Sequence, residues 1–171
     1  EDFGMVAAKG EVQFADAVAP DLVEGFMEAT YLGSDRHINW QHNPDGKSSN
    51  FVVDSILRAE DEEFLVIEWS GKTLGVSDQG ETKVSIPSKN RFELIQATVV
   101  QTPEQYVSIL FSDPLSTEQS QEGLVSITNA EGLKLSASRN ELIIYPASRM
   151  QGRQFLKIDG SLKSIFGKAL G

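Results

Sequence analysis

Residues able to do chemistry are few in this chain, and they lie far apart. His37 and His42 are its two histidines, flanking Asn39-Trp40-Gln41 in what reads as a strand. Five residues of separation send two strand side chains to opposite faces, so joint metal ligation there needs a bend. Exposed or packing roles suit both better. Serine and aspartate are plentiful, which leaves a Ser-His-Asp array open by counting, but no Gly-x-Ser-x-Gly elbow presents a nucleophile. Neither a phosphate loop nor a dinucleotide fingerprint occurs. Glu60-Asp61-Glu62-Glu63 offers oxygen ligands for calcium. Consecutive carboxylates point in different directions, however, and the run lacks the glycine-bearing loop of a calcium hand, so a solvated turn that discourages edge pairing is expected.

The most distinctive local feature is Phe-x-Asp followed by a turn, at Phe14-Ala15-Asp16 and again at Phe111-Ser112-Asp113-Pro114. A carboxylate before such a turn caps backbone amides, here those around Leu115 to Thr117, and calcium ligation or catalysis are the competing roles. Two aspartates in separate repeats belong to separate domains, which places them poorly for the paired carboxylates of glycoside hydrolysis. Trp40, Trp69, Tyr31, Tyr106 and Tyr145 could form a sugar-stacking platform, although aromatics spaced through strands more often fill cores or interfaces. The chain has no cysteine, so it holds no disulfide, thiolate metal site or cysteine nucleophile. No catalytic, cofactor-binding or metal-binding residue is assigned, no cofactor is expected, and the chain is expected not to be an enzyme.

The elements that would position these residues are short strands. Leu133-Lys134-Leu135-Ser136-Ala137-Ser138 alternates apolar and polar residues, as do Val107, Ile109 and Phe111, Val125 with Ile127, and Leu156 with Ile158; period two means half-buried strands. Phe64-Leu65-Val66-Ile67 and Leu142-Ile143-Ile144-Tyr145 read as strands buried on both faces. Nothing reads as a long amphipathic helix, and no run approaches the roughly 20 apolar residues of a membrane span. The opening Glu1-Asp2-Phe3-Gly4 is not a basic, apolar signal segment and reads as a processed or cloned boundary.

Two internal echoes organise the 171 residues. Phe14-Ala15-Asp16-Ala17-Val18 with Glu24-Gly25 resembles Phe111-Ser112-Asp113-Pro114-Leu115 with Glu122-Gly123. Trp69-Ser70-Gly71-Lys72-Thr73-Leu74-Gly75 resembles Ile165-Phe166-Gly167-Lys168-Ala169-Leu170-Gly171 at nearly the same offset. Two related units in tandem are therefore expected, residues 1–91 and 92–171, divided at the polar stretch Ile86-Pro87-Ser88-Lys89-Asn90-Arg91. Strands are expected near 93–100, 105–111, 124–128, 133–137, 141–145 and 153–158, with a weaker one near 162–165. Turn signals every 8 to 12 residues make each unit an immunoglobulin-like β-sandwich, and the fold class all-β. The net charge of -10 sits in the first unit, with 8 basic and 17 acidic residues in 1–91 against 7 and 8 in 92–171. An acidic surface repels nucleic acid and anionic lipid, which excludes polyanion binding as a function class.

The run Tyr106-Val107-Ser108-Ile109-Leu110-Phe111-Ser112-Asp113-Pro114-Leu115, then Gly123-Leu124-Val125-Ser126-Ile127, Asn140-Glu141-Leu142-Ile143-Ile144-Tyr145-Pro146 and Gly152, resembles bacterial alpha-2-macroglobulin family proteins. In their macroglobulin-like, immunoglobulin-type domains a Phe-Ser-Asp-Pro-Leu turn, a Leu-x-x-x-Pro strand end and a closing Lys-x-x-x-Gly segment recur. Phe51 to Trp69, with Gly71 and Ile86-Pro87, resembles the domain just upstream in Bacteroidetes-type members. The resemblance covers most of residues 50–171. It implies a very large, envelope-anchored lipoprotein that traps proteases when a bait segment is cut, sometimes through a Cys-x-Glu-Gln thioester. Neither bait nor thioester lies in these residues, and no site residue of the family carries over.

Non-catalytic scaffold domains of such a protease-trapping inhibitor are thus expected, in the periplasm or outer-membrane lipoprotein layer of a Gram-negative cell envelope. The partners implied are neighbouring domains of the same larger chain and, through the full-length protein, host or competitor proteases. Nucleic acid is not a partner, and the segment is not membrane-inserted. The alternative is an immunoglobulin-like module of a bacterial cell-surface adhesin or carbohydrate-associated protein; a hydrolase accessory domain is a third reading.

Overall fold

A computed structural model describes residues 4–171. The opening Glu1-Asp2-Phe3, read above as part of a boundary, lies outside the described residues. The chain is all-β with antiparallel sheets, and it divides into two compact units, Glu1–Lys89 and Asn90–Gly171.

The first unit contains β1 (Met5–Gln13), a short helix α1 (Pro20–Glu24), β2 (Met27–Tyr31), β3 (Ser34–Arg36), β4 (Asn39–His42), β5 (Ser48–Leu57), β6 (Glu63–Ser70) and β7 (Gln79–Ile86). These strands form a three-stranded sheet in the order β1-β5-β4 and a four-stranded sheet in the order β3-β2-β6-β7. Alternation decides which face is buried: Met27, Ala29 and Tyr31 of β2 and Leu65 and Ile67 of β6 meet Phe51, Val53 and Ile56 of β5 in one core. Val53 and Ile56 both point inward although three residues apart, because the β1/β5 register shifts between Val6 and Ala8 and Ser55 takes φ 55°. The extra residue restores the inward phase. α1 starts with Pro20 in its first turn and stops at Gly25, too short to pack more than Val23. The β2–β3 hairpin closes over Leu32 and Gly33, both at positive φ (51° and 72°), the backbone of a tight type I′ loop.

The second unit contains β8 (Leu94–Val100), β9 (Tyr106–Phe111), β10 (Val125–Ile127), β11 (Lys134–Ser138), β12 (Glu141–Tyr145) and β13 (Leu156–Ile158). One sheet runs β11-β12-β9-β8, and a second joins β10 to β13. Val107, Ile109 and Phe111 of β9 and Leu142 and Ile144 of β12 face Val125 and Ile127 of β10, with Phe92, Leu115 and Leu162 closing the core. All six strands expected in this unit are present, and the weak seventh at 162–165 is reduced to single bridges, Leu115 with Ser164 and Lys163 with Ala169.

Two expectations are corrected. Phe64–Ile67 and Leu142–Tyr145 are not buried on both faces. Leu65, Ile67, Leu142 and Ile144 are in the cores, whereas Phe64 is 48% exposed, because each sheet is covered on one side only. The paired echoes also differ locally: Asp16 is exposed but Asp113 is buried, and Gly71 opens a 3-10 turn whereas Gly167 has φ 75°.

Candidate functional site

A buried polar cluster is built on the turn after β9. Phe111 exchanges hydrogen bonds with Asn140, whose backbone oxygen accepts from the Phe111 amide at 2.8 Å while its side-chain amide donates to the Phe111 carbonyl at 2.9 Å. The Ser112 amide donates to the Glu93 carbonyl, and the Ser112 hydroxyl accepts from the Glu93 amide. Asp113 follows, its side chain 1% exposed, with Lys168 Nζ 3.1 Å from its Oδ2. Lys168 comes from the closing segment and also lies over the Phe166 ring.

This geometry corrects the capping expectation for Asp113. The amides of Leu115 and Ser116 donate to the carbonyls of Arg139 and Lys163, and the carboxylate instead takes the ammonium of Lys168. The physical reason is burial: a carboxylate withdrawn from water is held by an opposite charge and hydrogen bonds or it is strongly destabilising. Chemically the cluster joins a carboxylate to an ammonium, and a carboxylate so enclosed is shielded from any substrate. Its work is to fasten the turn to the closing segment.

In the first unit the structure assembles a constellation that the residue pattern did not disclose. His42 Nδ1 lies 3.0 Å from Ser49 Oγ, and His42 Nε2 lies 3.3 Å from Glu24 Oε1. A serine, a histidine and a carboxylate are thus in line. Ser49 is 3% exposed, however, so its hydroxyl is withheld from substrate, and β4/β5 pairing sets it directly opposite His42. The signal available beforehand was only that hairpin partners face each other; the register that pairs 42 with 49 belongs to the fold. The Trp40 ring stacks on His42 at 6.1 Å and tilts against Phe51 at 5.5 Å. His37 is exposed and lines a cleft of about 380 Å³ with Glu24, Arg36, Glu28 and Trp40. Among the described residues no group of three His, Asp or Glu side chains could hold a metal ion.

The remaining candidates are distributed, not gathered. Tyr31 is buried and donates its hydroxyl to the Leu57 carbonyl at 3.1 Å; burial first, and the nearby Glu63 charge second, push its phenol above the ordinary tyrosine value. Trp69 covers Gly80 on the neighbouring strand, where a Cβ would come within 2.5 Å of the indole. Tyr106 and Tyr145 pair at 5.7 Å in the other unit. In the acidic run, Glu60 pairs with Lys89 and Glu62 accepts from Ser85, so these side chains serve the β5–β6 turn. Arg58, 2% exposed, donates to the carbonyls of Pro87 and Ser88 and anchors the end of the unit. At Asp159, hydrogen bonds from the Ser161 side chain and backbone hold the carboxyl below the usual range.

No family model, curated protein or solved structure matches the chain. The helices offer no membrane span either: none among the described residues is long and apolar enough to cross.

Proposed function

We propose that the chain is a tandem pair of immunoglobulin-like domains, residues 1–91 and 92–171, acting as non-catalytic scaffold in a large bacterial protease-trapping protein of the alpha-2-macroglobulin type, located in the cell envelope. The observation that carries the fold part is strand order. Immunoglobulin sandwiches place strands A-B-E-D in one sheet and G-F-C, with an optional C′, in the other. The second unit's order β8-β9-β12-β11 corresponds to A-B-E-D, and β10-β13 to C-F. The first unit's β1-β5-β4 corresponds to B-E-D, and β7-β6-β2-β3 to G-F-C-C′. On this correspondence Phe14 and Phe111 both mark the exit from strand B, the position expected of a shared repeat.

Support for the functional part comes from the motif that carries the resemblance. The Phe-Ser-Asp-Pro-Leu turn lies against Lys163-Ser164-Ile165-Phe166-Gly167, which has the Lys-x-x-x-Gly spacing of that pattern: the Ile165 amide donates to the Pro114 carbonyl at 2.9 Å and Leu115 bridges Ser164. The work of such a module is to hold spacing and orientation, with the chemistry of trapping elsewhere in the parent. The test is to mix the intact parent polypeptide with trypsin. A trapped protease keeps its activity on small peptide substrates and loses it on large proteins. Absence of that split, or stoichiometric inhibition by the 171-residue chain alone, would overturn the reading.

A further inference from the structure

Residues of α1, β2, β3 and β4 line the cleft of about 380 Å³ in the first unit. Its apolar lining is Met27, Ala29 and Ile38, and the half-buried Trp40 adds an aromatic wall. Three carboxylates line it as well: Glu24 at the end of α1, Glu28 on β2 and Asp35 on β3. Glu28 and Asp35 share one face of the β2–β3 pair, because Asp35 stands opposite Thr30, two residues along from Glu28. An apolar lining with a few convergent polar groups is the ordinary make-up of a ligand site.

The charges in this cleft do not balance. Glu24 Oε1 lies 3.3 Å from His42 Nε2, whereas the side chains of Glu28 and Asp35 have neither an ion pair nor a hydrogen bond among the described residues. Arg36 is the one Lys or Arg among the described residues of the lining, and it is committed elsewhere: its guanidinium lies over the Tyr31 ring at 5.5 Å and its Nε is buried. Glu28 also stands opposite Glu68 across β2/β6, and Glu68 opposite Glu81 across β6/β7. Like charges directly opposite repel, and Lys83, 3.5 Å from Glu81, answers only the far end of that row. The acidic excess of the first unit, 17 against 8 basic residues in 1–91, carries the same sign around the cleft and steers a basic group toward it.

A guanidinium meets every demand of this lining. It is positive, its plane lies against an indole, and its fork bonds two carboxylates at once, while an aliphatic stem packs on Met27 and Ile38. An ammonium offers the same charge as a strongly hydrated point with no plane to stack. We propose that the cleft takes an arginine side chain presented by a partner polypeptide, with the guanidinium between Trp40 and the carboxylates of Glu28 and Asp35. The assignment uses the charges and lining of the first unit alone, so the trypsin assay above does not bear on it.

The test titrates the full chain with N-acetyl-arginine amide, whose single charge is the guanidinium, and follows the Trp40 indole N–H and the amides of Glu28, Asp35 and His37 by NMR. Saturable shifts with a Kd of about 1 mM or tighter are expected. The citrulline analogue, of the same shape and uncharged, is expected to bind at least about tenfold more weakly, and the lysine analogue at least about threefold. Glu28→Gln combined with Asp35→Asn, both at exposed positions, is expected to weaken binding at least about fivefold without lowering the melting temperature. A blocked Gly-Gly-Arg-Gly-Gly peptide is expected to bind at least as tightly as the blocked arginine. Shifts that do not saturate, equal binding of the citrulline or lysine analogue, or binding unchanged in the double variant would overturn the proposal. A pentapeptide that fails to bind where the blocked arginine succeeds would overturn the assignment to a polypeptide partner.

Discussion

Replacing Lys168 with methionine keeps an unbranched stem of similar length and removes the charge that faces Asp113. The two groups are 3.1 Å apart, and opposite unit charges at that distance attract by about 5 kcal/mol at an effective dielectric of about 20. Lys168 is 26% exposed, so solvent screens part of that attraction, whereas the carboxylate, 1% exposed, cannot turn to water when the ammonium is removed. The net loss expected for Lys168→Met is about 3 kcal/mol, the lower end of the range for breaking a buried pair. For a unit of this size that corresponds to a fall of about 12 to 24 °C in melting temperature. Asp113→Asn added to Lys168→Met removes the buried charge as well, and the double variant is expected to regain more than half of the loss. Thermal unfolding of the parent, the single and the double variant by circular dichroism, with amide exchange in β9 and β12 to assign the transition to the second unit, measures all of this. A loss below about 0.5 kcal/mol in Lys168→Met would place the pair among inconsequential surface bridges. A double variant no more stable than the single would show that the cost lies in packing, not in the loss of the ammonium charge.

Leu32 sits at φ 51° and is 59% exposed at the tip of the β2–β3 hairpin. Leu32→Asn is expected to stabilise the first unit by about 0.5 to 1 kcal/mol, since asparagine tolerates that conformation and precedes glycine in type I′ loops; a lowered urea midpoint would contradict this. Tyr31, with its phenol raised above 10.0, binds its proton more tightly in the folded unit than in the unfolded chain. Its contribution is therefore complete below the unfolded value and is lost as pH rises through the folded one. Alkaline unfolding of the first unit is expected to coincide with delayed tyrosinate absorbance and to weaken in Tyr31→Phe. Ser161→Ala is expected to move the Asp159 carboxyl back toward its ordinary value of 3.8, read by NMR titration of the side-chain carbon; an unchanged titration would assign the lowering to other groups.

The period-two runs at Val107, Ile109 and Phe111, at Val125 and Ile127, and at Leu133 to Ala137 determine strands and their inward phase from composition alone, because one covered face demands one apolar face. Turn residues bound those strands closely enough to place all six in the second unit. The phase of Phe64 and Ile143 was not legible, since a run that is apolar throughout carries no alternation to read. Asp113 was singled out as a capping carboxylate by its place before Pro114, but its burial and its ion pair were not legible, because Lys168 is 55 residues away in the chain. The same holds for Ser49 opposite His42 and for Arg58 against the carbonyls of Pro87 and Ser88. Sequence pattern acts through neighbours a few residues apart, where backbone geometry alone sets which side chains share a face. Strand order and the convergence of Glu24, Glu28 and Asp35 on one cleft depend on which segments lie side by side, and that is decided only when sheets pair and close upon a common core.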